Sequence, residues 1–364
     1  MRVLQVINSL GTGGAEKLLL ESIPKYLEAG VTMELLVLNG TKHPFLEALR
    51  SNPMVKIHSL GNGTVYNPFH VFKIRKLLKN FDLIHVHLFP SLYWVAFAKM
   101  ISSSIPKLFF TEHNTSNLRR GNIFFRQLDK LVYKNYLKIV TISDEVDRNI
   151  KAHLKFENPR FVLIPNGVDI EKINRSPIAD RNEFDVTEND KIIIQVSSFT
   201  KQKDQNTLIR ALKHLNAPVK LLLVGDGEMI NESRRLVENL NLDNQVLFLG
   251  IRMDVPALLK MADVVVLSSH YEGLSLSSIE ALASGKPFVA SEAPGLSNVV
   301  DGAGVLFPIG DENYLATELE KLFNDQDYYQ KIAARCMERS QNYGLQKMIE
   351  KHINLYSEAC PSQN

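Results

Sequence analysis

Short apolar runs alternate with amphipathic stretches along all 364 residues, and that alternation restricts the fold more than any single motif does. Residues 3–8, 33–38, 55–59, 83–87, 108–111 and 139–142 read as buried strands, apolar along most of their length. Each is followed by enough chain for a helical crossover, as at 16–29, so neighbouring strands run parallel with helices on the sheet faces. The turn Asn166-Gly167-Val168-Asp169 ends this half, and the polar stretch from there to Asp190 reads as an interdomain linker. A second alternation follows, with strands at 191–197, 220–225, 246–249, 264–268 and 287–290 and helices at 315–323, 327–337 and 348–356. The expectation is an α/β protein of two doubly wound parallel sheets, with ligands held where the loops after the strands converge.

The length suits two domains of roughly 150 to 200 residues each. Charge divides between them. Residues 1–175 carry 24 Lys+Arg against 14 Asp+Glu, a net of +10, whereas 176–364 carry 18 against 26, a net of −8. A basic half suits a phosphorylated substrate or an anionic membrane surface; no nucleic-acid module accompanies it. Cys336 and Cys360 lie far apart in no ligand pattern, so no disulfide framework or structural zinc is expected, and the cytoplasm is the expected location. The first residues read as a strand rather than a signal peptide, and no apolar run reaches the roughly 18 residues that span a bilayer.

The stretch from His270 to Gly285 carries the most chemistry. It joins two apolar strands through a loop containing Glu272 and a short helix expected at 277–283, stopped by Gly285 and Pro287. A helix N-terminus presents unpaired N–H groups and the positive end of the dipole, which suit a diphosphate. Glu272 lies just outside that anion site and Glu280 about one turn inside it, so the pair suits a ligand with hydroxyls on both sides of a diphosphate. The same letters also spell a capping box, Ser277-x-x-Glu280, in which Glu280 only satisfies a backbone amide. Spacing alone leaves both readings open.

Other motifs sit at strand ends. In Asn8-Ser-Leu-Gly-Thr-Gly-Gly-Ala-Glu16, Gly11, Gly13 and Gly14 let a ligand approach the backbone, but Glu16 stands where a dinucleotide fingerprint has its third glycine. His85-x-His87 and His113 bring three imidazoles without an obvious carboxylate or thiolate ligand, so no metal is expected. Ser197 and Ser198 open the loop that leads to Lys203, a point charge able to reach a diphosphate. Gly225-Asp-Gly-Glu228 is a flexible loop, Arg252 follows another strand, and Asp254 is placed to cap the helix near Pro256. Residues 118–138 are basic and aromatic at near-helical spacing. Arg119, Arg120, Arg126, Lys130, Lys134 and Lys138 oppose Phe124, Phe125, Leu128, Leu131 and Val132, a pattern of either a membrane-surface helix or a core helix with a solvated side.

Glu272-x7-Glu280 resembles the signature of family-4 glycosyltransferases, retaining enzymes of the GT-B fold. So do Gly-Gly-Ala-Glu, Thr-Glu-His-Asn, Thr141-Ile-Ser-Asp, Pro165-Asn-Gly-Val-Asp, Gln-Lys-Asp and Gly-Asp-Gly-Glu, in the family's order and over nearly the whole chain. The resemblance implies two Rossmann-like domains facing across a cleft: 1–168 with the helix of 345–364 for the acceptor, and 169–344 for the nucleotide sugar. It implies that Glu280 binds the ribose and Glu272 the transferred sugar. The Leu274, Ser275, Leu276 and Ser277 amides would meet sugar and diphosphate, Lys203 the diphosphate, and Arg252 would lie near the base. Gly13 and Gly14 would back the phosphate, and His113 would lie beside the anomeric carbon. Where the family commonly has Gly-Arg, with the Arg on the diphosphate, this chain has Ser197-Ser198.

What the resemblance implies is a retaining hexosyl- or N-acetylhexosaminyltransferase that moves a sugar from a nucleotide donor, foremost a UDP-sugar. Its acceptor would be a glycan or lipid-linked intermediate of cell-surface polysaccharide or glycoconjugate synthesis, with peripheral membrane contact through 118–138. Neither metal nor other cofactor is required. The alternatives are a nucleotide-sugar epimerase or phosphorylase of the same fold, and a non-catalytic nucleotide-sugar-binding protein.

Overall fold

The computed structural model describes residues 1–103, 106–115, 122–155 and 160–361. It divides into two compact units, residues 1–167 with 345–364, and residues 168–344.

The first unit holds β1 (Arg2–Ile7), β2 (Thr32–Val37), β3 (Lys56–Ser59), β4 (Leu83–His87), β5 (Lys107–Glu112), β6 (Lys138–Thr141) and β7 (Phe161–Leu163). All pair parallel, in the order β3-β2-β1-β4-β5-β6-β7. The second holds β8 (Lys191–Val196), β9 (Val219–Val224), β10 (Val246–Gly250), β11 (Val264–Leu267), β12 (Phe288–Ser291) and β13 (Val305–Phe307), in the order β10-β9-β8-β11-β12-β13, again parallel. Helices cover both faces of such sheets, so β1, β4, β8 and β11 are buried almost without interruption and could not show a polar alternation. The strand order reverses between β1 and β4 and between β8 and β11. At such a switch point the two following loops part, leaving a crevice at the carboxyl edge.

Three expectations change. Residues 170–190 are not a free linker: helix Ile170–Arg175 packs on helices Val255–Met261 and Leu276–Ala283, and Phe184 is buried. Lys260 fastens that segment by donating to the Asn174 and Ser176 carbonyls at 2.9 and 2.6 Å. Strand β13 leaves no mark in the sequence, because three residues are too short to show a period. The last helix, Leu345–Ala359 in the first unit, extends beyond the 348–356 that periodicity marks. Its buried Met348, Ile349, His352, Leu355 and Tyr356 follow helical spacing and pack on helix Gly14–Glu28.

Candidate active site

In the second unit the loops after β8 and β11 flank the switch point and are bonded to each other across it. His270 N–H donates to the Gln202 carbonyl at 2.7 Å, and the Gln202 side-chain amide donates to the Tyr271 carbonyl at 2.7 Å. Between them Lys203 and Glu272 form an ion pair, their side chains only 13% and 4% exposed. The Ser269 hydroxyl donates to the same carboxylate at 2.7 Å, and Gln202 Nε2 lies 3.4 Å from its other oxygen. The backbone is fixed as tightly. Glu272 N–H donates to the Pro294 carbonyl at 2.8 Å, and Gly295, at φ +83°, sits so close that a Cβ there would lie 2.1 Å from the Glu272 carbonyl oxygen. Loops after three strands, β8, β11 and β12, therefore agree on where this carboxylate stands.

Beneath the Lys203 loop lies a buried polar network. Gln195 and Gln205 both donate to the Ser197 hydroxyl, at 3.1 and 3.0 Å, and to the carbonyls of Lys203 and Ser198. The Ser268 hydroxyl closes it, 2.7 Å from the Asp204 carbonyl and 3.0 Å from Gln195 Oε1. Asp204 takes a left-handed conformation, φ +43°, and caps helix Gln205–Ala211, its carboxylate 2.6 Å from the Thr207 hydroxyl. Ser197 is thus part of the loop's support, whereas Ser198 is exposed. Gly225, at φ +135°, belongs to the same support, since a Cβ there would lie 2.1 Å from the Ser197 carbonyl oxygen. Gln195 was the missed signal: an amide inside Ile-Ile-Ile-Gln-Val must find partners if that strand is buried.

The helix after Glu272 runs Leu276–Ala283, one residue longer than expected, and its cap is Ser275 rather than Ser277. The Ser275 hydroxyl accepts from Ser278 N–H at 3.1 Å, and Ser278 returns its own hydroxyl to the Ser275 carbonyl at 2.7 Å. The third helical position is therefore Ser278, so the capping-box reading of Ser277 and Glu280 falls. Glu280, two residues further in, is buried at 3% exposure. Leu274 and Leu276 are buried and aim the backbone, while Ser277 is half-buried at the helix start. Arg252 is already engaged: its guanidinium grips Asp254 at 2.8 and 2.6 Å and lies 5.7 Å from the Phe184 ring centre. Those hydrogen bonds hold the Asp254 carboxyl below its ordinary range. Asp254 does stand at the helix start, but its side chain serves Arg252 instead of capping.

In the first unit Gly13 caps helix Gly14–Glu28, and both glycines are exposed. A Cβ on Gly13 would meet only the end of the Glu16 side chain, and one on Gly14 would meet nothing. His85 and His87 have both ring nitrogens occupied by protein groups. His85 bonds Tyr356 and Thr111 at 2.5 and 2.7 Å, and His87 bonds His113 and Gln5 at 3.0 and 2.8 Å. Burial lowers the His113 pKa to about 4, so the ring is neutral at pH 7. On the basic stretch, Leu118, Arg119 and Arg120 lie outside the described residues. Helix Ile123–Tyr133 buries Asp129, Val132 and Tyr133, but leaves Ile123 and Phe124 74% and 69% exposed and Leu131 exposed beside its basic residues. No helix among the described residues is long and apolar enough to cross a membrane.

Two parallel Rossmann-like sheets are the architecture of the GT-B fold, and comparison bears this out. Anabaena HepE, solved in complex with UDP and glucose, superposes with a TM-score of 0.86 at 21% identity, over 98% of this chain and 100% of HepE. The family model for glycosyl transferases group 1 matches residues 178–342, and that for glycosyltransferase family 4 matches residues 12–172. The chain belongs to this family and is a glycosyltransferase. Among its relatives, the Bacillus anthracis N-acetyl-alpha-D-glucosaminyl L-malate synthase is 27% identical over 76% of this chain and 75% of its own length. A Campylobacter jejuni N-acetylgalactosaminyltransferase, named for an N-acetylgalactosamine-N,N'-diacetylbacillosaminyl-diphospho-undecaprenol acceptor, is 25% identical over 88% of this chain and 89% of its own. An Escherichia coli enzyme named UDP-Gal:alpha-D-GlcNAc-diphosphoundecaprenol alpha-1,3-galactosyltransferase is 25% identical over 79% of this chain and 78% of its own.

Proposed function

We propose that the protein is a retaining glycosyltransferase that takes a UDP-sugar on its second unit and a glycan or lipid-linked acceptor on its first. The observation that carries this is the Lys203–Glu272 pair, buried at a switch-point edge beside the start of helix Leu276–Ala283. A neutral buried pair is prepared to divide between a diphosphate, for the ammonium, and sugar hydroxyls, for the carboxylate. Glu280 binds the ribose hydroxyls, and the amides of Leu276 and Ser277 meet the phosphate at the positive end of the helix dipole. UDP is favoured because HepE was solved with it and the E. coli relative is named for UDP-Gal. Relatives named for diphosphoundecaprenol-linked sugars favour a lipid-linked acceptor, and the exposed Ile123 and Phe124 beside basic residues favour contact with an anionic membrane.

In the reaction the bond from the anomeric carbon to the phosphate oxygen breaks and that to the acceptor oxygen forms on the same face. The leaving phosphate takes the acceptor's proton. Lys203 and the helix start carry the charge that appears on the diphosphate, for which loss of one donor costs about a hundredfold or more in rate. No metal enters this scheme.

A panel of UDP-, GDP- and ADP-sugars in thermal shift, followed by transfer from the binder to a lipid-linked acceptor, tests the reading. A rise in melting temperature with UDP-sugars alone supports it. Binding without transfer to any acceptor would favour the non-catalytic alternative, which Ser198 in place of the family's Arg keeps open.

A further inference from the structure

His113 stands just past the end of β5, and its only hydrogen bond among the described residues runs from Nε2 to His87 Nδ1, 3.0 Å away. The direction of that bond is decided further back. Gln5, in the middle of β1, turns its amide nitrogen toward the Tyr356 hydroxyl at 3.4 Å and the Met33 sulfur at 3.6 Å. Its carbonyl oxygen is left facing His87 Nε2 at 2.8 Å. The Tyr356 hydroxyl also lies 2.5 Å from His85 Nδ1, and accepting from Gln5 leaves its own proton for that nitrogen. An amide oxygen only accepts, so His87 must carry its proton on Nε2. Its Nδ1 is then a lone pair, and His113 must donate to it from Nε2.

We infer that Gln5 and His87 are positioning residues that fix the tautomer of His113, leaving Nδ1 as an acceptor-only atom that takes a hydrogen bond from a substrate hydroxyl. A carbonyl, carboxylate or phosphate oxygen finds no donor there. The substrate half of this inference rests on the transferase reading above; the tautomer half does not. The ring stays neutral because burial disfavours the imidazolium at His85, His87 and His113 alike, so no second proton restores a donor.

The test begins with nitrogen-15 histidine spectra of the unliganded wild-type protein, with His113→Ala identifying the resonance among the ten histidines. A proton on Nε2 with a bare Nδ1 supports the relay. A proton on Nδ1 overturns it, whatever the reaction proves to be. Kinetics supply the second arm. His87→Asn and Gln5→Met are expected to lower kcat about tenfold at unchanged donor KM, the scale for a displaced catalytic contact. In a His113→Ala background neither is expected to cost anything more. Additive losses, or full activity of His113→Ala, would overturn the substrate half. If both relay variants fail to fold, the wild-type spectrum still decides the tautomer.

Discussion

The ammonium of Lys203 closes an ion pair on the carboxylate of Glu272, 69 residues further along the chain, inside a setting that also supplies the Ser269 hydroxyl. Neither charge can be removed alone without leaving the other buried and uncompensated. Such a break costs about 3–5 kcal/mol, whereas replacing both partners by apolar groups is often near neutral. Lys203→Met is therefore expected to destabilise the second unit in urea titration, and Lys203→Met with Glu272→Leu to recover most of that loss. Transfer should vanish in both. A stable double variant that still transfers sugar would remove the pair from the chemistry.

Gly295 is the backbone counterpart of that pair. Alanine there meets the Glu272 carbonyl and a left-handed φ together. Gly295→Ala is expected to cost more than about 1 kcal/mol and to reduce both donor affinity and kcat, because Glu272 must shift to admit the methyl group. An unchanged kcat at lowered stability would show that the position of Glu272 is not critical.

The two serines at the helix start separate capping from ligand contact. Ser275→Ala removes the observed cap and should cost about 1 kcal/mol of stability. Ser277→Ala should leave the melting temperature unchanged and weaken UDP-sugar binding. Glu280→Gln should likewise lower UDP affinity more than stability, read by calorimetry against the bare nucleotide. The reverse ranking of the two serine variants would restore the capping role to Ser277.

Acid should loosen the first unit through its buried imidazoles. Burial holds His113 at about 4 and His352 at about 3, against an ordinary 6.5. The unfolded chain thus binds protons first as pH falls below 6.5. Stability is lost across that window by up to about 1.4 kcal/mol per pH unit per group, and the loss ends for each group once pH passes its folded value. Above pH 6.5 both states are neutral and these groups contribute no slope. His352→Gln, which keeps a polar group near Tyr26, is expected to flatten the fall in urea midpoint between pH 6.5 and 4. An unchanged slope would mean that His352 is not among the groups responsible.

Local pattern carried the sheets. A strand buried on both faces is apolar throughout and its crossover helix is amphipathic, so β1, β4, β8 and β11 were legible without partners. The loops at their ends were legible too, because glycines, capping residues and the two glutamates mark them within a few positions. Local pattern erred at the helix start: the sequence marked Ser277 for the cap, and only the packed helix put it at Ser275. The segment 170–190 read as linker because its polar surface is local, whereas the contacts that anchor it come from Lys260 and the neighbouring helices.

By itself, then, the chain's order of residues determined the doubly wound architecture and the loops at its strand ends, both written in short-range periodicity and spacing, and its family through the resemblance of an ordered set of motifs. Tertiary structure alone decided that Lys203 meets Glu272, that Gln195 and Gln205 hold Ser197, and that Gln5, His87, His113 and Tyr356 share one hydrogen-bonded network. The reason is physical. Hydrogen-bond direction and ion pairing act over a few ångströms in space, and no spacing along the chain encodes which distant side chains the parallel crossovers will bring within that reach.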